Sequence, residues 1–245
     1  MDLYTSFMEH TSVRSFQEKK VPDSLKEKLI AAAQSGSSSN FVQAYSIIEV
    51  RDPQKLATIE AIANCPGYVT GAGVFYVFVA DLNRHAQLLA HHQRATAISN
   101  LETMEALTVA IVDTTIAAQN MAVFAEGNGL GICYIGGIRN DLFQLAELLD
   151  LPKHTVPLFG LSIGYPKMRN QPKKRLPTAE ILSVDRYQPV NFEHLQAYDE
   201  QTAAYYAKRT TNQQQTSWSK KMLAFFSEPR RLETSEFLKK QGFHW

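Results

Sequence analysis

The stretch from Leu101 to Asn128 constrains the fold of this chain more than any other part of its sequence. At helical spacing, most of its circumference is filled by small or apolar groups, at positions that include Ala106, Val109, Ala110, Asp113, Ile116, Ala117, Asn120, Met121 and Phe124. A helix that is apolar on nearly all sides lies in a core or against a second subunit. Gly127 and Gly129 supply a C-terminal stop. The sequence therefore predicts one long helix around which other elements pack.

Segments of strand and helix character surround this helix without a regular order. Strands are predicted over Phe41–Val50, Val74–Ala80, Leu130–Ile135 and Pro157–Tyr165, and helices over Lys55–Ala63, Asp141–Leu149 and, as two pieces, residues 1–34. The absence of a regular strand–helix–strand alternation indicates the α+β class with one central sheet. From Ile181 onward, tyrosines and Trp218 punctuate a Gln-rich sequence. We expect a single domain, residues 1–245, in which about residues 181–245 form an arm.

Composition argues against several classes of protein. A formal net charge of +1 over 245 residues gives no general attraction to nucleic acid or to an anionic membrane. The first residues lack a basic segment followed by an apolar run, and apolar stretches such as Gly73–Ala80 are shorter than the roughly 20 residues that span a bilayer. Cys65 and Cys133 lack metal-ligand spacing and suit a reducing compartment. We expect a soluble cytoplasmic protein that binds neither nucleic acid nor membrane.

Familiar catalytic and metal-binding motifs are missing from the sequence. It contains no GxSxG, no HExxH, no GxxxxGK[ST] and no GxGxxG after a strand. The adjacent His91 and His92 have no ligand partner at helical spacing. Nothing here predicts a hydrolase or a metal site, so we expect neither catalytic side chains of these kinds nor a bound metal.

The segment His10–Phe16 carries donors for an anion. His10 and Arg14 offer cationic donors, and the hydroxyls of Thr11 and Ser12 can bond phosphate or ribityl oxygens. The plainer interpretation is a helix cap at Ser12 beside a solvated arginine. Taken alone, the segment favours that plainer interpretation.

Three further segments suit an anion or a planar ligand. Ser37–Asn40 places short side chains and backbone N–H groups before a strand, and its plainer interpretation is a flexible polar loop. Tyr134–Asn140 places paired glycines at a strand end, where a backbone can approach a flat ligand closely; alternatively, it is a simple strand-to-helix turn. Lys173–Pro177 is a basic cluster suited to phosphate, or else a solvated charge run.

The order of these segments resembles the oxygen-insensitive NADPH nitroreductase and FMN reductase family. The matching blocks are His-x-Ser-x-Arg-x-Phe, Ser-Ser-Ser followed by Phe-x-Gln, Tyr-Ile-Gly-Gly-x-Arg-Asn, Leu-Phe-Gly-Leu-x-x-Gly-Tyr-Pro and Lys-x-Arg-Leu-Pro. Later segments continue the match at Tyr187-Gln188-Pro189, Tyr198-Asp199-Glu200 and Tyr205-Tyr206. The resemblance covers nearly the whole chain.

The resemblance implies an α+β fold with a central mixed sheet flanked by helices, in an intertwined homodimer with a C-terminal extension. It also implies two FMN sites at the subunit interface. His10, Thr11, Ser12 and Arg14 would hold the phosphate and ribityl end of FMN, and Lys173 and Arg175 would complete the phosphate site. Ser38, Ser39 and Asn40 would approach the flavin, with Tyr134, Ile135, Gly136 and Gly137 beside its ring. FMN rather than any side chain would carry the chemistry.

Three positions depart from the family pattern. Thr11 stands where many members have arginine, and Pro66 or Gly67 stands where a glutamine near the flavin is common. The loop that grips the nicotinamide 2′-phosphate in relatives reads here from Lys208 and Arg209 to Gln214 and Gln215, the glutamines standing where relatives carry arginines. Lys208 and Arg209 are the expected nicotinamide contacts. The choice between NADPH and NADH therefore stays open.

The implied activity is electron transfer from a reduced nicotinamide, by a ping-pong mechanism, to nitroaromatics, quinones or flavins. Two alternatives stay open. One is an NAD(P)H:FMN reductase that supplies free reduced flavin, and the other is a flavin-binding protein without catalytic activity.

Overall fold

The computed structural model describes residues 3–209 and 213–245. Its helices are α1 (Leu3–Met8), α2 (Asp23–Gln34), α3 (Pro53–Ala63), α4 (Asn83–His91), α5 (Met104–Gly127), α6 (Leu142–Leu148), α7 (Phe192–Ala207), α8 (Trp218–Phe226) and α9 (Thr234–Lys240). Its strands are β1 (Tyr45–Glu49), β2 (Val74–Asp81), β3 (Gly131–Ile135) and β4 (Thr155–Gly164). Short 3₁₀ turns cover Ser39–Phe41, Ala95–Leu101, Gly136–Asn140 and Thr178–Glu180. Each helix and strand predicted between Phe41 and Tyr165 is present, with shifts at its ends. The two helices predicted over residues 1–34 around a short break are wrong in part, because α1 ends at Met8 and residues 9–22 form no helix.

The long helix predicted from the sequence is α5. The side chain of Thr103 accepts a hydrogen bond from the Ala106 N–H and so caps the first turn. Along the turns that follow, one side of the helix faces the protein interior. The buried side chains of α5 are Leu107, Ala110, Asp113, Thr114, Ala117, Ala118, Met121, Ala122 and Ala125. The small size of most of these residues lets the helix lie close to its neighbours.

Another face of α5 carries exposed apolar side chains. Met104, Ile111 and Val112 are all exposed. Contrary to our expectation that every apolar stretch is too short, α5 is the one helix among the described residues long and apolar enough to cross a bilayer. Of the apolar window, 44% is buried inside the protein, and a single helix of this kind is weak evidence for a membrane span, because core helices meet the same criteria of length and composition.

The four strands form one sheet in the order β1-β2-β4-β3. We expected a mixed sheet, but all three pairings described are antiparallel. Strands β1 and β2 are antiparallel because α3 and the loop after it return the chain to the end of the sheet at which β1 finishes. Glu49 at the end of β1 therefore pairs with Tyr76 near the start of β2.

Strand β2 is the centre of the core. All eight of its side chains are buried, and those of residues 74–79 alternate between two hydrophobic clusters. Tyr76 and Phe78 pack with residues of α2 and α5, whereas Phe75 and Val77 pack with residues of α3. This alternation follows from the two-residue period of a strand. The sheet is thus covered by helices on both faces.

Strand β1 begins later than predicted. The expected start was Phe41, but residues 38–44 form an irregular segment, called the serine loop below, in which Asn40, Phe41 and Gln43 have φ angles of 46°, 59° and 54°. Each left-handed non-glycine residue costs about 1 kcal/mol or more. A strand cannot pass through such residues, so β1 begins only at Tyr45.

The chain divides into two compact units. Within the described residues, the first contains 3–170 and 231–245, with the sheet, α1 to α6 and α9; the second contains 171–209 and 213–230, with α7 and α8. In the first unit, Phe237 of α9 is fully buried in a cluster with Leu107 and Leu142. The expectation of a single domain with an arm from about residue 181 stays a prediction.

The loop between α3 and β2 is held by Glu60. Its carboxylate accepts hydrogen bonds from the N–H groups of Val69 and Thr70, at 3.0 and 2.8 Å, and from the Thr70 hydroxyl at 2.9 Å. Burial raises the pKa of Glu60. These bonds and one from the Gly67 N–H lower the pKa by more than burial raises it, so the pKa lies below its ordinary value. The ionised carboxylate therefore stabilises the folded loop.

We expect Glu60→Gln to lower the free energy of unfolding by about 1–2 kcal/mol at pH 7, because neutral acceptors form weaker hydrogen bonds than charged ones. The pKa of Glu60 is lower in the folded than in the unfolded chain. Its contribution is thus fully present above pH ~4.3 and is lost as the pH falls through the folded-state value. Urea denaturation from pH 7 to 3 should show the difference shrinking below pH ~4. Glu147→Gln, at an exposed position of α6, is the control, and an equal effect there would contradict this account.

Candidate functional site

The segment that joins α1 to α2 runs beside β3. The Val13 N–H donates to the Ile132 carbonyl at 2.8 Å, and Val13 is fully buried. A Cβ on Gly131 would lie 2.5 Å from Val13 Cγ2, so only glycine allows this close approach. Burial raises the pKa of Cys133 on β3 above its ordinary value, and the nearby charge of Arg14 offsets part of that rise. Arg14 therefore lies close to the strand that ends at Tyr134 and Ile135.

His10 is held by the last turn of α5. Its Nδ1 donates to Glu126 Oε1 at 2.8 Å. Burial raises the pKa of Tyr134, and the negative charge of Glu126 raises it further, so Tyr134 lies in the same neighbourhood. Glu126 thus brings together two segments that the sequence singled out separately.

Thr11 and Arg14 leave donor groups available in this neighbourhood. Thr11 is buried, and its hydroxyl has no hydrogen-bond partner among the described residues. A buried hydroxyl without a partner costs about 1–3 kcal/mol. The exposed Arg14 guanidinium lies 5.9 Å from the Tyr68 ring centroid and bonds the Ser12 carbonyl at 3.5 Å. A cation beside an unpaired hydroxyl suits a phosphate or a sugar-alcohol oxygen.

Packing explains one of the two glycines in the turn after β3. A Cβ on Gly137 would lie 2.4 Å from the Ala63 carbonyl oxygen, so α3 requires glycine there. Gly136 is different, since a Cβ would meet only the Arg139 side chain, at ordinary contact distance. Tyr134 is the exposed residue of β3, and its hydroxyl donates to Gln119 at 3.3 Å. Ile135 is buried. The close approach to a ligand stays a prediction for Gly136.

The serine loop is anchored to the middle of α5. Asp113, only 1% exposed, accepts hydrogen bonds from the N–H groups of Ser39 at 3.0 Å and Ala44 at 3.1 Å. Burying a carboxylate costs several kcal/mol, and each charge-assisted bond contributes about 1.5–3 kcal/mol, so both bonds are needed to offset that cost. The Ser39 N–H, which we expected to be available to a flavin, is therefore already used. The Ser38 hydroxyl is buried without a partner among the described residues, whereas Asn40 is exposed.

The His10 segment and the serine loop are anchored at different turns of α5. His10 is anchored at Glu126 and Ser39 at Asp113, and these anchors are 13 residues apart along α5. At 1.5 Å per residue this is about 20 Å along the helix axis. The segment at His10–Arg14 and the turn at 134–137 both lie near Glu126, and no contact among the described residues joins the serine loop to either of them.

The predicted basic residues of the second unit lie against tyrosines of α7. Lys173 Nζ lies 5.7 Å from the Tyr206 ring centroid, and the Arg209 guanidinium lies 5.9 Å from that of Tyr205. Burial raises the pKa of Tyr198 above its ordinary value, and the charge of Arg175 offsets part of that rise. Lys208 caps the C-terminus of α7. The loop predicted to contact the nicotinamide cofactor includes Thr210, Thr211 and Asn212, which lie outside the described residues.

The sequence analysis missed the carboxylates that hold these segments. Asp113 was counted as one more position on an apolar helix, and Glu126 and Glu60 were not singled out. The available signal was the charge of Asp113 itself, because a carboxylate within an otherwise apolar helix must find partners. For Glu126 and Glu60, which are partly exposed positions of ordinary helices, no sequence signal existed.

Comparison with known proteins identifies the family. Residues 7–165 match the Nitroreductase family, and residues 173–245 match the Nitroreductase family, C-terminal domain. The chain is similar to "FMN reductase (NADPH)" of Bacillus subtilis, with 39% identity over 98% of this chain and 97% of the relative. It is also similar to "Oxygen-insensitive NADPH nitroreductase" of Salmonella typhimurium, with 39% identity over 96% and 95%. The solved structure of B. megaterium NfrA1 superimposes with a TM-score of 0.93, at 38% identity and 98% coverage of both chains. The chain therefore belongs to the nitroreductase family.

Proposed function

We propose that this protein is an FMN-dependent oxidoreductase that takes electrons from NADPH or NADH and reduces nitroaromatics, quinones or flavins. The names of its relatives support FMN as the cofactor and NADPH as the donor. The observation that carries the proposal to this chain is a pair of buried hydroxyls, Thr11 and Ser38, which lack hydrogen-bond partners among the described residues. Both lie in segments that the family resemblance assigns to FMN, so the donor set fits the cofactor.

The side chains hold and orient the cofactor. His10 and Arg14 bind the phosphate, and Thr11 and Ser12 bond phosphate or ribityl oxygens. When bound, FMN supplies the hydride chemistry, accepting from the nicotinamide and donating to the second substrate in turn. The chain thus contributes by positioning the cofactor and by placing charges around it, and no side chain acts as acid or base.

Other residues of the proposed site face the flavin ring and the donor. The backbone at Tyr134, Ile135, Gly136 and Gly137 lies beside the ring, and Ser38, Ser39 and Asn40 approach it from the serine loop. The family resemblance assigns Lys173 and Arg175 to the phosphate and to the charge of the reduced ring. Lys208 and Arg209 contact the nicotinamide cofactor. Two basic residues at this position favour NADPH without excluding NADH.

The second candidate function is an FMN reductase whose product is free reduced flavin. It is favoured by the 39% identity to "FMN reductase (NADPH)" of Bacillus subtilis, which equals the identity to the nitroreductase of Salmonella typhimurium. The ratio of turnover with free FMN to turnover with a nitroaromatic distinguishes the two. A flavin-binding protein without catalysis is a third candidate, which predicts nicotinamide oxidation no faster than background.

We further propose a cytoplasmic homodimer that shares each FMN site between two chains. The exposed apolar side chains of α5 support it, since exposed apolar patches are typical of subunit interfaces. The separation of about 20 Å between the anchors of the two candidate groups also supports it. Neighbouring copies supply the serine loop that one chain holds away from its own His10–Arg14 segment.

The cofactor is tested by the visible absorption spectrum of the purified protein. We expect a flavin spectrum, and we expect its absorbance to bleach when NADPH is added without oxygen. NADH in the same experiment measures the preference for the donor. A protein that stays colourless after incubation with FMN would overturn the proposed function.

The role of the buried hydroxyls is tested by Thr11→Val and Ser38→Ala. Each variant removes a hydroxyl that has no partner among residues 3–209 and 213–245, so the cofactor-free protein should be as stable as wild type or more stable. FMN affinity should fall about tenfold for each, the equivalent of one lost hydrogen bond. Fluorescence titration with FMN and thermal denaturation of the cofactor-free protein measure the two effects.

Thr155→Val is the matched control for these hydroxyls. The Thr155 side chain is buried, but its hydroxyl already donates to the Pro152 carbonyl at 2.6 Å. This variant should lower stability and leave the FMN affinity unchanged. If Thr11→Val instead lowered stability and spared FMN binding, Thr11 would have a structural role only.

The shared site is tested by Ile111→Glu, which places a charge on the exposed apolar face of α5. We expect light scattering to change from the mass of two chains to that of one, with FMN binding lost in the same variant. Leu88→Glu, at an exposed leucine of α4, is the control and should stay dimeric. A wild-type monomer at micromolar concentration would overturn the dimer and the shared site together.

A further inference from the structure

The serine loop is gripped from two sides by groups of opposite charge. On one side, the Asp113 carboxylate accepts the N–H groups of Ser39 and Ala44 at 3.0 and 3.1 Å. Both oxygens of this buried carboxylate are used, one for each end of the loop. The distance between the two ends is therefore set by the width of a single carboxylate.

On the other side, α4 provides donors for the carbonyl oxygens of the loop and of the first residue of β1. Arg84 Nη1 donates to the Gln43 carbonyl at 3.2 Å, and Nη2 to the Tyr45 carbonyl at 3.4 Å. His85 Nε2 bonds the Val42 carbonyl at 3.0 Å. The backbone N–H groups thus face an anion and the carbonyl groups face cationic or ring N–H donors.

The loop needs such a grip because its backbone is unfavourable by itself. Asn40, Phe41 and Gln43 all have left-handed φ angles, and Phe41 is 80% exposed, so burial of its ring does not hold the loop in place. Bonds within the loop, such as that from the Val42 N–H to the Ser39 carbonyl at 2.9 Å, are few. The bonds to Asp113 therefore help to keep three non-glycine residues in this region. Ser38, at the start of the loop, buries its hydroxyl without a partner among the described residues.

We propose that Asp113 is a positioning residue for FMN, which holds the serine loop in the conformation that presents Ser38, Ser39 and Asn40 to the flavin. The proposal rests on the proposed function. Asp113 acts through the backbone of the loop, because each oxygen of its carboxylate accepts one N–H group of the loop. Arg84 supports the same conformation from the outer side.

The first test is Asp113→Asn in the full-length protein, with the FMN dissociation constant measured by flavin fluorescence. The amide has one acceptor oxygen, and its NH₂ group faces the second backbone N–H, so one end of the loop is released. We expect the dissociation constant to rise about 10- to 100-fold, the equivalent of one to two charge-assisted hydrogen bonds. A folded variant with an unchanged dissociation constant would overturn the proposal.

Asp52→Asn is the matched control. Asp52 also accepts two backbone N–H groups, from Gln54 and Lys55, but it caps α3 instead of holding the serine loop. Asparagine keeps the Oδ1 atom that accepts both bonds, so this variant removes a charge at a capping position, lowers the melting temperature only slightly and should leave the dissociation constant for FMN unchanged. If the dissociation constant rose equally in Asp52→Asn, the effect of Asp113→Asn would be one of general stability, and the positioning role would be refuted.

A spectroscopic readout separates positioning from stability. At saturating FMN, the visible circular dichroism of the bound flavin reports the asymmetry of its surroundings. We expect it to change in Asp113→Asn and to stay at the wild-type value in Asp52→Asn. Identical spectra in wild type and Asp113→Asn would count against the proposal.

Arg84→Gln decides the matter if Asp113→Asn does not fold. Its side chain is 58% exposed, so the variant should fold while losing the donors to Gln43 and Tyr45. We expect a three- to tenfold weaker affinity for FMN, and unchanged affinity would overturn the proposal in that case. Wild-type protein that binds no FMN would instead refute the proposed function, so the two failures are distinguishable.

Discussion

The burial of β2 between two layers of helices is the constraint on which the rest of the first unit depends. All eight side chains of this strand are buried, and those of residues 74–79 pack alternately against α2 with α5 and against α3. A fully buried large apolar side chain contributes about 1.5–3 kcal/mol, so this strand provides much of the driving force for folding. Packing of α5 on the sheet also takes Asp113 and Thr114 out of water. The polar contacts of the candidate site follow from that burial.

Helix α5 therefore has two roles that a simple core helix would not combine. Its apolar side chains fill the core, and two of its carboxylates anchor the segments on which the family resemblance places FMN. Asp113 holds the serine loop and Glu126 holds His10. Because a helix is rigid, the spacing of 13 residues between these anchors fixes the spacing of the two segments. An exposed apolar face on the same helix then provides the surface through which we propose that a second chain completes the site.

Much of the fold was predictable from local patterns. The all-round apolar helix, the continuous apolar run of β2 and the later strands are present close to their predicted bounds, because periodicity reports directly which side chains must leave water. The start of β1 was wrong, since left-handed residues at Asn40, Phe41 and Gln43 override the strand character of their side chains. The mixed sheet was also wrong in the pairings described, because strand direction depends on the path of the connections.

The sequence by itself determined which elements form, which family the chain resembles, and which short segments carry donors for phosphate and flavin. Only the tertiary structure decided what those donors bond. Asp113 and Ser39 are 74 positions apart, and Glu126 and His10 are 116 positions apart. Whether a hydroxyl such as that of Thr11 ends with a partner or without one depends on which distant groups surround it. The physical reason is that secondary structure depends on local periodicity, whereas hydrogen bonds between distant residues exist only after the core has packed.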